Sequence, residues 1–145
     1  MLDPRLRVPA GAATSAVEYR VPFYDTDAMA IVHHANYVRY LELARVRFLQ
    51  EHDEPYSQYV ARGYHVVVTR VDVALKRATR FDELLRITCW LERVRNATLV
   101  FGYQIHNGEH LTLTGCTEHG VVNLEGRPVR MPVERRDRLL TLLAS

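Results

Sequence analysis

Lysine is almost missing from this 145-residue chain: Lys76 stands alone among nineteen basic residues, and the rest are arginine. Seventeen acidic side chains leave a formal charge of +2, too little to hold a polyanion by charge alone, so nucleic acid is not implied as a partner. Arginine's planar fork suits phosphate groups and buried ion pairs, which keeps local phosphate contacts open. Cysteine is scarce as well. Cys89 and Cys116 cannot build a disulfide framework and lack metal-ligand spacing, so they read as small buried hydrophobes in a reducing compartment, with the cytoplasm expected. No run is apolar enough to span a bilayer, and Asp3, Pro4, Arg5 and Arg7 ahead of residues 10–13 make no secretion signal. Serine occurs only as Ser15, Ser57 and Ser145, each outside the strands and the long helix expected below. With no G-x-S-x-G elbow, no P-loop and no G-x-G-x-x-G, a serine hydrolase and a nucleotide cradle both fall away.

Hydrophobic residues make up 48% and charged residues 25%, the balance of one folded domain of ordinary size. Residues 1–15 are rich in Pro, Ala and Gly without periodicity and read as a flexible N-terminal segment, leaving residues 16–145 as the domain. Val17, Tyr19, Val21 and Phe23 alternate with polar positions as in a strand buried on one face, with Pro22 marking an edge or an end. Residues 24–34 carry two acids, two histidines and no helical period, and read as a loop. Over residues 36–51, Tyr37, Tyr40, Leu41, Ala44, Phe48 and Leu49 recur at three and four, predicting a helix with Asn36 as N-cap. Val38, Leu43 and Val46 make it apolar on other sides, as for a helix enclosed by a curved sheet. Residues 57–63 read as a connector. Residues 64–75, 84–94, 98–106 and 111–124 are rich in β-branched and aromatic side chains and predict four successive strands in an antiparallel meander, with a hairpin at Asn107-Gly108. Residues 133–144 predict a terminal helix. The class is α+β: an antiparallel sheet of about five strands around one central helix.

Chemistry concentrates in the loop before that helix, where Asp25 and Asp27 precede a first turn with free N–H groups and partial positive charge. Such a tip can hold an oxyanion, and a nearby carboxylate can act as general base or nucleophile. Equally, the acids could simply satisfy loop amides. Metal binding by His33 and His34 is disfavoured, because adjacent side chains are expected to point apart and no H-E-x-x-H spacing supplies a third ligand.

Tyr24-Asp25-Thr26-Asp27, Ile31-Val32, His34-Ala35-Asn36-Tyr37 and the Glu42-x-x-Arg45 pair resemble, at the right spacing, the hot-dog-fold acyl-CoA thioesterases, in particular the YbgC-type branch of the 4-hydroxybenzoyl-CoA thioesterase-like family. The likeness runs over residues 17–133. It implies hydrolysis of an acyl-CoA thioester to a carboxylic acid and CoA, with no cofactor and no metal. Asp27 takes the place of the catalytic acid and His34 that of the residue whose backbone N–H holds the oxyanion, while Asp25 becomes a loop-structuring carboxylate. Tyr24, Asn36, Tyr37, Arg95 and Thr98 fall at substrate-binding places, with Asn36 and Tyr37 also anchoring the helix, and Arg77, Arg80 and Arg130 within reach of CoA phosphates. The resemblance further implies a homodimer or homotetramer with sites at subunit boundaries, and an acyl carrier protein as an alternative thioester donor. Met29 and Ala30 occupy positions where the family usually has glycine, so a positive φ there would carry a steric penalty. Two rivals share the fold: a hot-dog enoyl-CoA hydratase, whose Asn-Pro before a closely following His is missing between Asp27 and His34, and a non-catalytic acyl-CoA or acyl-carrier-protein binding module.

Overall fold

The structure, a computed structural model, describes residues 7–144. One antiparallel sheet contains β1 (Thr14–Arg20), β2 (Tyr64–Leu75), β3 (Leu84–Val94), β4 (Thr98–Asn107) and β5 (His110–Asn123), in the spatial order β1-β3-β4-β5-β2. Around it lie α1 (Asn36–His52), α2 (Tyr56–Ala61) and α3 (Val133–Leu140). The class is α+β, as the residue patterns predict. The meander is shorter than expected, however: β3, β4 and β5 follow one another, but β2 crosses over to pair with β5, leaving β1 and β2 as the two edges. Alternation sets which face a strand buries and says nothing about its neighbour. Residues 76–83 connect the crossover, and within them the Thr79 carbonyl accepts the Val32 N–H at 2.8 Å, tying that connection to the loop before α1.

The core sits between α1 and the inward face of the sheet. Tyr37, Tyr40, Leu41, Ala44, Phe48 and Leu49 are buried at the predicted spacing, against Leu85, Ile87 and Cys89 of β3 and Phe101, Tyr103 and Ile105 of β4. Each large side chain withdrawn from water here contributes roughly 1.5–3 kcal/mol. The helix is not enclosed all round, because α1 packs mainly over β1 and β3 and leaves Val38, Leu43 and Val46 exposed. For the same reason Val68, Val71 and Leu75 stay open on the inward face of β2.

Several local expectations are corrected. Residue Ala35, not Asn36, is the N-cap of α1; the Asn36 amide is drawn away to the Asp25 carbonyl at 2.9 Å. Strand β1 begins at Thr14 and includes Ser15, which is buried and donates to Glu51 at 2.9 Å; residues 1–6 of the expected N-terminal segment lie outside the described residues. Phe23 leaves the strand for a short 3-10 turn, Phe23–Asp25, after Pro22 removes a ladder donor, and its ring is exposed. The expected connector contains α2, which begins after Pro55 and ends before Gly63 at φ +91°. Helix α3 stops at Leu140, short of residue 144, and is fastened by Arg135 and Arg138, which each donate to the buried Asp53 carboxylate at 2.6 Å. The Asn107-Gly108 hairpin forms as predicted, with Gly108 at φ +58°. Among the described residues no helix is long and apolar enough to cross a membrane.

Candidate active site

The loop between β1 and α1 is folded by its own backbone. Thr26 pairs with Val32 and Ile31 with Arg80 as single antiparallel bridges, and the Asp27 N–H donates to the Ile31 carbonyl at 2.9 Å. The Ala30 N–H returns to the Asp27 carbonyl at 2.9 Å, and the Met29 N–H donates to Asp27 Oδ1 at 2.8 Å, an Asx turn made by the aspartate side chain. This tight reversal puts Ala30 at φ +61°, where a Cβ crowds the following carbonyl. The steric cost raised by the sequence is therefore present at Ala30. Ala30→Gly should raise stability by about 1 kcal/mol or somewhat less, after the extra unfolded-state entropy of glycine is subtracted, measured as a higher urea midpoint at unchanged slope.

Asp25 and Asp27, two residues apart, have opposite environments. The Asp25 carboxylate is 2% exposed and accepts from Tyr40 Oη at 2.6 Å and Tyr19 Oη at 3.1 Å on one oxygen and from Arg39 Nη2 at 2.6 Å on the other. Burial works to raise its pKa, but the hydrogen bonds from Tyr40, Arg39 and Tyr19 and the Arg39 charge outweigh it and hold the carboxyl below the usual aspartate range. Burial, then the hydrogen bond to Asp25, pushes the Tyr40 phenol up. The Asp25 carbonyl also accepts the His33 N–H at 3.0 Å, so this one residue ties loop, β1 and α1 together. Arg39, Tyr19 and Tyr40 carry no motif signal in the sequence; only their convergence in space shows their role.

Asp27, by contrast, is exposed and lines a cavity of about 300 Å³ together with His34, Tyr37, Leu75, Lys76 and Arg77. At the tip of α1 the amides of Asn36 and Tyr37 donate to the carbonyls of His33 and His34, and the Ala35 N–H donates to His33 Nδ1 at 3.2 Å. The His34 N–H has no acceptor among the described residues. The His33 and His34 rings do not point apart; they stack with centroids 4.3 Å apart, because Ala35 draws the His33 ring back over the turn. Among the described residues no group of three or more His, Cys, Asp or Glu side chains is gathered as metal ligands would be. Burial raises the pKa of both Cys89 and Cys116, so neither is a ready thiolate nucleophile.

Of the other residues singled out by sequence, Tyr24 is exposed and does not line the cavity, Asn36 is half-buried, and Tyr37 is a buried wall of the cavity. Arg95 and Thr98 are not brought to it. They form the turn between β3 and β4, where the Arg95 N–H donates to the Thr98 carbonyl at 2.9 Å, at the far end of β3 from the loop. The length of β3 puts them roughly 30 Å from Asp27 within one chain. Arg130 belongs to that far end too, since its neighbour Met131 donates to the Asn96 carbonyl. Lys76 on the cavity wall was noticed in the sequence only for its rarity; the crossover connection brings it here.

Residues 21–139 match the model of a family described as the thioesterase-like superfamily. The chain belongs to that family. Consistent with this, it is 35% identical over 115 residues to a putative esterase of Aquifex aeolicus, covering 79% of this chain and 89% of that protein. It is 34% identical over 94 residues to the acyl-CoA thioester hydrolase YbgC of Escherichia coli, covering 65% of this chain and 70% of that one. The crystal structure of a probable thioesterase from Bartonella henselae superposes with a TM-score of 0.77 at 29% identity, over 83% of this chain and all (100%) of that chain. The sheet curled on α1 is the hot-dog fold of these thioesterases. This thioesterase is accordingly a hydrolase, and the loop-to-helix cavity is its candidate active site.

Proposed function

We propose that this thioesterase hydrolyses acyl-CoA to a free carboxylic acid and CoA, with Asp27 as general base on water or as nucleophile and the His34 N–H as oxyanion donor. The supporting observation is that Asp27 and His34 line one cavity at the positive end of α1, with the His34 amide unengaged among the described residues. In the water route, Asp27 takes a proton as the water oxygen bonds to the thioester carbon. The carbonyl oxygen gathers charge at the helix tip, and as that oxygen re-forms its double bond the carbon–sulfur bond breaks, the sulfur taking the proton held by Asp27 to leave as CoA thiol. In the nucleophilic route the Asp27 carboxylate bonds to the thioester carbon, the carbon–sulfur bond breaks to expel CoA thiolate, and water then opens the anhydride to give the free acid and regenerate Asp27. Lys76 and Arg77 on the same wall supply cations for the phosphates of the leaving group, and the chemistry calls on side chains and amides alone, without cofactor or metal. A panel of acyl-CoA and acyl-carrier-protein thioesters scored by thiol release tests the reading. Tight acyl-CoA binding without thiol release, or hydration of crotonyl-CoA in its place, overturns it.

The active unit in this reading is at least a homodimer in the cytoplasm. Thr98 of β4 stands opposite Gly120 of β5, which stands opposite Val67 of β2, so Arg95 and Thr98 lie toward the Tyr64 end of the free edge while Asp27 lies toward its Leu75 end. Antiparallel pairing of β2 with the same strand of a second copy superimposes those opposite ends and carries the second Arg95 and Thr98 toward the first Asp27. Sedimentation should show a dimer or tetramer at assay concentration. A fully active monomer removes the shared site.

A further inference from the structure

A second cavity, of about 230 Å³, opens along α1 beyond the first, walled by the apolar side chains Val46, Leu49, Val66, Val68 and Phe101, by Tyr56, and by the Arg45 guanidinium with Glu42 beside it. Helix α1 and the inward face of β2 run side by side in opposite directions: Tyr37 and Leu75 border the first cavity, Leu49 and Val66 the second. The rise of α1 separates His34 from Arg45 by roughly 15 Å.

The Arg45 side chain is only 14% exposed. Arg45 can only donate, and Nη1 gives a hydrogen bond to Tyr103 Oη at 3.1 Å. The Tyr103 hydroxyl is hydrogen-bonded in turn to Thr117 Oγ1 at 2.6 Å, and Thr117 Oγ1 to His119 Nε2 at 2.7 Å. Burial, with the Arg45 charge adding to it, lowers the His119 pKa to about 3, so the ring is neutral. Its Nδ1 is buried without a hydrogen-bond partner among the described residues. His119 stands between Val68, its partner across the ladder, and Phe101, whose ring it meets edge-on at 5.3 Å, and both of these wall the cavity. The counter-charge of Arg45 among the described residues, Glu42, is 62% exposed and 3.8 Å from Arg45, a surface contact too weak to neutralise it. The mostly buried Arg45 guanidinium is thus an incompletely neutralised cation on the wall of a largely apolar cavity.

From this we infer that the second cavity receives the far end of the acyl group and selects acyl chains that end in a carboxylate, with Arg45 as the specificity-determining residue. The inference rests on the acyl-thioester reading above for the chain's route into the cavity. An acyl chain of about twelve carbons spans the distance from the helix tip to Arg45.

Two measurements on the full-length protein decide it. Titration with the free acids compares dodecanedioate with dodecanoate; wild type should bind the diacid about tenfold or more tighter, and Arg45→Met should abolish that difference while Arg45→Lys keeps part of it. Hydrolysis of dodecanedioyl-CoA, dodecanoyl-CoA and butanoyl-CoA should show Arg45→Met losing about tenfold or more in kcat/KM on the first alone, with butanoyl-CoA, too short to reach Arg45, unchanged. Equal affinity of wild type for the two free acids overturns the inference, and needs no variant to fold. Absence of turnover on every thioester condemns the thioesterase reading instead, while the free-acid comparison still decides the subsite.

Discussion

Asp27→Asn should retain the fold and lose about a hundredfold to ten-thousandfold in thiol release, the range a positioned general base supplies. The fold survives because the structural task of Asp27 is small: Oδ1 accepts the Met29 N–H in an Asx turn, and an asparagine carbonyl oxygen accepts the same bond. What asparagine lacks is a group able to take a proton or to attack a carbonyl. Matched thermal midpoints for wild type and variant, set beside single-turnover rates on one acyl-CoA, make the measurement. A variant with full turnover would remove Asp27 from the reaction and leave the helix tip to act alone.

Asp25→Asn should do the reverse and cost about 3 kcal/mol or more of stability, a thermal midpoint lower by roughly 10 °C. Both Asp25 oxygens receive donors, from Tyr40, Tyr19 and Arg39, so whichever way an asparagine turns, its NH₂ faces a hydroxyl or a guanidinium where an acceptor is needed. The same site governs acid stability. Because the folded carboxyl is held below the unfolded value of about 3.9, its contribution is complete above that value and is lost as pH falls through the folded pKa. The urea midpoint of wild type should therefore drop on acidification below about pH 4, and Asp25→Asn should flatten that drop. An unchanged profile in the variant would remove Asp25 as the source of the acid sensitivity.

The two aspartates show how far residue patterns reach. The loop's composition and its place before a helix marked both as candidates, and the family resemblance separated them into one reacting and one structural carboxylate. Their environments became visible only where Tyr19, Arg39 and Tyr40, from β1 and α1, closed around Asp25 and left Asp27 facing the cavity. Ala30 was legible in the opposite sense: a glycine-type position filled by alanine, whose positive φ the backbone confirms. Arg95 and Thr98 show the limit, since the resemblance put them at the substrate and one chain leaves them at the far end of β3.

Periodicity determined the α+β class, the apolar face of α1 and the inward faces of the strands, because burial of a face depends only on the local repeat of 3.6 or 2 residues. Tertiary structure alone decided that β2 pairs with β5, that residues 76–83 bring Lys76 and Arg77 to the loop, and that α1 shelters only part of the sheet. Those are choices among partners distant in sequence. They are settled by which pairings and packings together bury the most surface, a property of the whole chain that no window of residues contains.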